Sequence, residues 1–193
     1  IILICLMVTG YNLWRLYGNY QSDVLLWKKE AEALFEKALL VELEKRGNIP
    51  VKIKSSEQAE TSVLNESYPD TVVVAIGQKH YWFAIPKYKT ENSLMKDMKR
   101  RTIQGILLEK YPVSVDTVVH VWDSLLVRRQ LPSHVGVRYT YTNVEENVDT
   151  SFSPKNFFSL AMDSLTVRYM GARCEYEFTG YVGVPALGKV LAI

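Results

Sequence analysis

Apolar residues fill the first eight positions without a polar break, and the run continues through Tyr11, Trp14 and Tyr17 into a charged amphipathic stretch. Positions 24–46 hold neither Gly nor Pro, so a long helix is predicted there, with Ser22 or Asp23 favouring its start. Val24, Trp27, Ala31, Leu34, Ala38 and Val41 recur in alternating steps of three and four, the a/d seam of a heptad. The same register reaches back through Tyr20, Tyr17, Leu13 and Gly10. A second stripe, Phe35, Leu39 and Leu43, lies beside the seam and is expected to face a sheet of the same domain. Two apolar faces would let one helix serve a partner and a core. The alternative is one wide stripe spent wholly on the core. Gly47 supplies a helix stop and Pro50 prevents resumption.

Further along, the period changes to two. Ile49, Val51 and Ile53 alternate with polar residues as a short strand, and 55–69 is polar and turn-rich, a surface loop. Thr71 to Ile76 and Lys79 to Ile85 form a predicted hairpin about Gly77-Gln78, with Tyr81, Phe83 and Ile85 on one face and His80, Trp82 and Ala84 on the other. A second helix is expected from Asn92 or Ser93 to near Tyr111, where Pro112 disfavours continuation. Its apolar positions are Leu94, Met95, Met98, Ile103, Ile106 and Leu107. A third helix spans about 116–131, with Val119, Trp122, Leu125 and Leu126 inward. In 134–142, Val135, Val137, Tyr139 and Tyr141 alternate with Gly136, Arg138 and Thr140 as a strand. A polar loop then runs through Pro154, and 156–160 suits a helical turn. Leu165, Val167 and Tyr169, then Cys174, Tyr176 and Phe178, alternate on either side of Gly171 as a closing hairpin.

The N-terminal run reads as part of a membrane anchor. Trp14, Tyr17 and Tyr20 are spaced as an interfacial aromatic belt, with Arg15 snorkelling beside them. A secretory signal peptide is the rival, but no small-x-small cleavage site follows. A buried N-terminal helix is the third possibility, opposed by eight consecutive apolar residues. The predicted organisation is therefore an anchor over 1–20, a domain over 21–181 and, over 182–193, either the approach to a second span or an ordinary terminal element.

Charge and chemistry narrow the function classes. With 23 basic and 21 acidic residues, net +2, the chain lacks the basic footprint of a nucleic-acid binder. Four basic residues cluster in 96–101, either an anion or headgroup docking site or a solvated helix face. Cys5 falls in the apolar run and Cys174 in a strand-like stretch, so no intrachain disulfide is expected, and Cys174 reads as a small buried hydrophobe. His80, His120 and His134 stand singly, without metal-ligand spacing, and no nucleophile elbow, P-loop or dinucleotide glycine pattern occurs. No catalytic residue, metal or cofactor is therefore assigned, and the chain is not expected to be an enzyme.

The helix Leu34-Phe35-Glu36-Lys37-Ala38-Leu39 through Glu42-Leu43-Glu44-Lys45-Arg46-Gly47 and Ile49-Pro50-Val51, preceded by an apolar run, resembles the extracytoplasmic sensor regions of Bacteroidetes-type membrane-bound signalling proteins, either sensor histidine kinases or one-component regulators. Trp122-Asp123-Ser124-Leu125-Leu126, Leu131-Pro132 and Val135-Gly136-Val137-Arg138-Tyr139 are similar in character. The resemblance implies an α+β fold: a long N-terminal helix, continuous with a membrane span, packed on an antiparallel PAS-like or Cache-like sheet with two or three shorter helices. It also implies a ligand- or stress-sensing input domain on the periplasmic side of a bacterial inner membrane. A homodimer is expected along Val24, Trp27, Ala31, Leu34, Ala38 and Val41, with a small-molecule or protein signal received near Tyr81, Trp82, Phe83, Tyr139 and Tyr141. The competing class is an anchored, exported assembly protein that binds another protein and senses nothing.

Overall fold

A computed structural model describes residues 2–47, 71–76, 79–131, 134–155 and 162–183. The predicted strand over 49–53, the loop after it, the turn at Gly77-Gln78 and the helical turn over 156–160 lie outside the described residues. The chain is α+β: a long N-terminal helix with antiparallel sheets.

Helix α1 (Ile2–Gly47) runs 46 residues, about 70 Å at 1.5 Å per residue. Gly10 and Gly18 do not interrupt it; the Ser22 hydroxyl donates to the Gly18 carbonyl at 3.1 Å inside the helix rather than capping a new one. A hairpin of β1 (Thr71–Ile76) and β2 (Lys79–Ala84) forms a separate two-stranded sheet. Between it and the third long helix the chain departs from expectation. A short α2 (Lys87–Glu91) ends at Asn92, and residues 92–94 lie against a later strand, with Leu94 N–H donating to Tyr169 O at 3.0 Å. Helix α3 (Met98–Lys110) therefore starts at Asp97, whose carboxylate accepts from Arg100 N–H at 2.9 Å. Helix α4 (Val115–Arg128) is capped by the Ser114 hydroxyl, and Ser114 N–H also donates to the buried Glu42 carboxylate of α1 at 3.3 Å.

The main sheet is antiparallel and ordered β4-β3-β7-β5, from β3 (Val135–Thr142), β4 (Val148–Ser153), β5 (Met162–Ser164) and β7 (Tyr176–Gly183). β6 (Arg168–Met170) also pairs with β7, beyond β5 on the same edge. The polar loop expected after Thr142 contains β4, whose residues are exposed except Ser153. Edge pairing with β3, not burial, holds that strand, so no alternation marks it in the sequence. β7 continues to Gly183. The possible second span over 182–193 thus opens on the end of a strand, with Val182 fully buried; its remainder lies outside the described residues.

The core sits where α1, α4 and β7 meet. Phe35 and Trp122 rings lie 4.7 Å apart, the Trp122 indole N–H donates to Ala31 O at 3.0 Å, and both rings press on Gly180. Phe178, Val137, Leu39 and Leu126 complete the centre. A smaller cluster of Val72, Ile85, Tyr169, Ala172 and Cys174 joins the hairpin to the other face of β6. Successive β6 residues serve both: Met170 enters the main core and Tyr169 the smaller cluster.

Candidate functional site

Five of the six seam positions are buried within this chain rather than on an open face. Trp27, Ala31, Leu34 and Ala38 pack in the same cluster as Phe35 and Leu39, with Leu43 against it; Val24 is buried and Val41 half-buried. The two stripes are one wide stripe, because α4 lies across α1 and covers it. A dimer through these positions would require taking that core apart. The helix is fixed further by polar struts: Arg168 Nη2 lies 2.9 Å from Glu32 Oε1 and 3.4 Å from Glu36 Oε2, and Lys28 pairs with Asp163.

The five aromatic positions divide three ways. Tyr139 and Tyr141 lie on the core side of the sheet beside Tyr176 and Phe178, with Tyr139 to Phe178 and Tyr141 to Tyr176 both at 5.0 Å between ring centres. They are half-buried extensions of the core. Burial pushes the Tyr139 hydroxyl up to about 12. Tyr81 and Phe83 face inward from β2, while Trp82 points outward and is 63% exposed. Arg173 links two of the groups: its guanidinium stacks over Phe83 at 4.4 Å and donates to the carbonyls of Thr142 and Asn143 at 3.3 Å. Beside it, burial pushes the Glu175 carboxyl upward, opposed by Arg173 and by the Arg173 N–H that donates to it at 2.8 Å.

The basic cluster in 96–101 also divides. The Lys96 ammonium bonds the Glu91 carbonyl, Lys99 and Arg100 are exposed, and Arg101 is buried with Nη1 on Cys174 Sγ at 3.5 Å and Nη2 on Met98 Sδ at 3.7 Å. Cys174 is a free, buried thiol whose pKa burial raises against the pull of Arg101. It occupies a turn with φ +59°, not a strand.

Between α1 and α3 lies a cavity of about 310 Å³. Leu40 and Leu43 form one wall, Ile103, Leu107 and Leu108 the other, and Met95 joins them. Three polar residues complete it. Glu44 and Arg100 are exposed at its opening, and neither is in an ion pair among the described residues. Gln104 is buried; its Oε1 accepts from Gly171 N–H at 3.3 Å, while its Nε2 is fully covered and has no hydrogen-bond acceptor among the described residues. An apolar cavity with a few polar groups has the make-up of a small-molecule site.

Comparison with protein-family models, curated proteins and solved structures returns no match. The chemistry of the site therefore rests on its own residues. Among the described residues no group of three or more His, Cys, Asp or Glu is arranged to hold a metal, and His80, His120 and His134 are each exposed. No helix among them is long and apolar enough to cross a membrane. The sequence pointed at sheet aromatics and passed over the cavity. Leu43, Met95, Ile103, Leu107 and Arg100 are legible as helix positions, but that α3 meets the last turns of α1 is set by tertiary packing.

Proposed function

We propose that this chain is the ligand-sensing input domain of a membrane-bound signalling protein, held on the periplasmic side of a bacterial inner membrane, with α1 as the signal-carrying element. The observation that carries this is the double role of one helix. Its C-terminal turns wall the cavity through Leu40, Leu43 and Glu44, while every described side chain from 7 to 23 except Tyr20 is exposed, including Met7, Leu13 and Trp14, the last at 73%. Apolar side chains on a free-standing helix favour lipid or a second helix over water. A ligand that favours one placement of the cavity wall biases the whole rod, and only such differential contact transmits a signal. An antiparallel sheet covered by helices suits a PAS-like or Cache-like sensor. A homodimer, in this proposal, uses the exposed continuation of the seam at Gly10, Leu13 and Tyr17.

The test combines vesicle flotation with deuterium exchange on the 193-residue chain. The chain floats with phosphatidylglycerol-containing vesicles, Leu13→Asp with Trp14→Asp abolishes flotation, and filling the cavity by Leu43→Trp changes exchange along 7–38. A chain that stays in the aqueous fraction, or an α1 indifferent to Leu43→Trp, defeats the proposal. The second reading, an anchored assembly protein, is favoured by Trp82 and Tyr88, exposed at 63% and 55% on and beside the hairpin. It predicts flotation with α1 unaffected by the cavity.

A further inference from the structure

The cavity between α1 and α3 has walls of one chemistry and an opening of another. Leu40, Leu43, Ile103, Leu107 and Leu108 can desolvate only an apolar group, and about 310 Å³ is at the small end of ligand pockets. That volume suits one side-chain-sized group, not the paired acyl chains of a lipid. At the opening stand one anion, Glu44, and one cation, Arg100, which form no ion pair with each other. Beside them Gln104, only 5% exposed, closes the wall with its side-chain stem.

Each simpler ligand class leaves one of these groups opposed. A fatty carboxylate would meet Arg100 but face Glu44; an alkylamine would meet Glu44 but face Arg100; a neutral hydrocarbon would meet neither. We propose that the cavity binds a small apolar zwitterion: an unbranched or singly branched apolar chain carrying an amine and a carboxylate at one end, the chemistry of an apolar α-amino acid. The chain lies between the leucines of α1 and α3. The carboxylate meets Arg100, the ammonium meets Glu44, and the ligand bridges two charges that do not pair in its absence. Because Glu44 belongs to α1 and Arg100 to α3, the bridge ties the signal-carrying helix to the domain. This assignment rests on the proposed sensor role for its purpose but not for its binding.

The experiment is isothermal titration of the 193-residue chain with L-norleucine, hexanoate and hexylamine in parallel. Norleucine gives saturable binding, and the two singly charged probes bind about tenfold more weakly or less, since each lacks one charge-assisted contact. Glu44→Gln and Arg100→Gln, both at exposed positions, each weaken norleucine by about tenfold while leaving thermal unfolding unchanged. Leu43→Trp abolishes binding by filling the cavity. Hexanoate binding as tightly as norleucine and indifferent to Glu44→Gln overturns the zwitterion in favour of an anion site. No saturable heat with norleucine, or binding that survives Leu43→Trp, overturns the assignment outright. Norleucine binding that leaves α1 exchange unchanged sinks the sensor proposal and spares this site; flotation and α1 coupling without norleucine binding do the reverse.

Discussion

Gly180→Ala probes the junction that fixes α1 against the sheet. Gly180 lies opposite Val137 in the β3–β7 ladder, and a Cβ added there would stand 3.0 Å from Trp122 Cη2 and 3.2 Å from Phe35 Cδ1 and Cε1. Neither ring can simply swing away: both are fully buried, and the indole is tethered to Ala31 O. Overpacking of this kind costs about 1–3 kcal/mol. Removing glycine's extra freedom in the unfolded chain offsets roughly 0.5–1 kcal/mol. The expected net loss is about 1 kcal/mol, within roughly 0–2.5 kcal/mol, or a fall of about 2–4 °C in Tm for a chain of this size. Urea unfolding of the wild type, Gly180→Ala, Trp122→Phe and the double variant measures it. Trp122→Phe alone costs about 1–3 kcal/mol through the lost N–H bond and the space it opens. That space accepts the new methyl, so the double variant should be more stable than the sum by about 0.5–2 kcal/mol. A Gly180→Ala chain more stable than the wild type, or costs that add within about 0.5 kcal/mol, would refute this account of the core.

Trp27→Glu should lower Tm sharply and expose the core to dye, because it places a carboxylate where Trp27 is 7% exposed; sedimentation that shifts while Tm holds would restore the seam as a partner face. Arg168→Met removes the strut from β6 to Glu32 and Glu36 and should cost about 1–3 kcal/mol, with faster exchange in α1 as its signature. Arg101→Met is expected to leave stability equal or raised, since among the described residues the buried guanidinium contacts only sulfur acceptors; a large loss would show an anion partner elsewhere in the chain. Glu175 carries a folded-state pKa above the usual carboxylate range, so its stabilising share is present below that range and is lost as pH rises through the folded value. Glu175→Gln should therefore gain stability over the wild type at pH 7 and lose that advantage in acid, read by urea unfolding at both pH values. Tyr139 and Tyr169, both pushed up to about 12 by burial, contribute stability that is complete below pH 10 and lost as pH climbs toward 12; phenolate absorbance rising at the ordinary pH without unfolding would contradict it.

Local chemistry alone determined several elements. The Gly- and Pro-free run over 24–46 made that part of α1, the alternation of Val135 to Tyr141 made β3, and the spacing of Val119, Trp122, Leu125 and Leu126 made most of α4. These succeed because period and capping act within a few residues. The sheet aromatics were visible as residue types, yet their grouping was not, since Phe83 reaches Arg173 only through the packing of the hairpin near the β6–β7 turn. β4 escaped notice because an edge strand exposed on nearly all its residues is held by ladder bonds rather than by a buried face.

Tertiary structure decided the rest. A heptad seam reads alike whether its partner is another copy or a helix ninety residues on, and here α4 covers it through Trp122 on Ala31. The stripe specifies that something apolar must lie on α1; which element does so depends on where the chain returns in three dimensions. Likewise, Glu44 and Arg100 are ordinary helix residues until α1 and α3 converge, and only that convergence sets them at the opening of an apolar cavity.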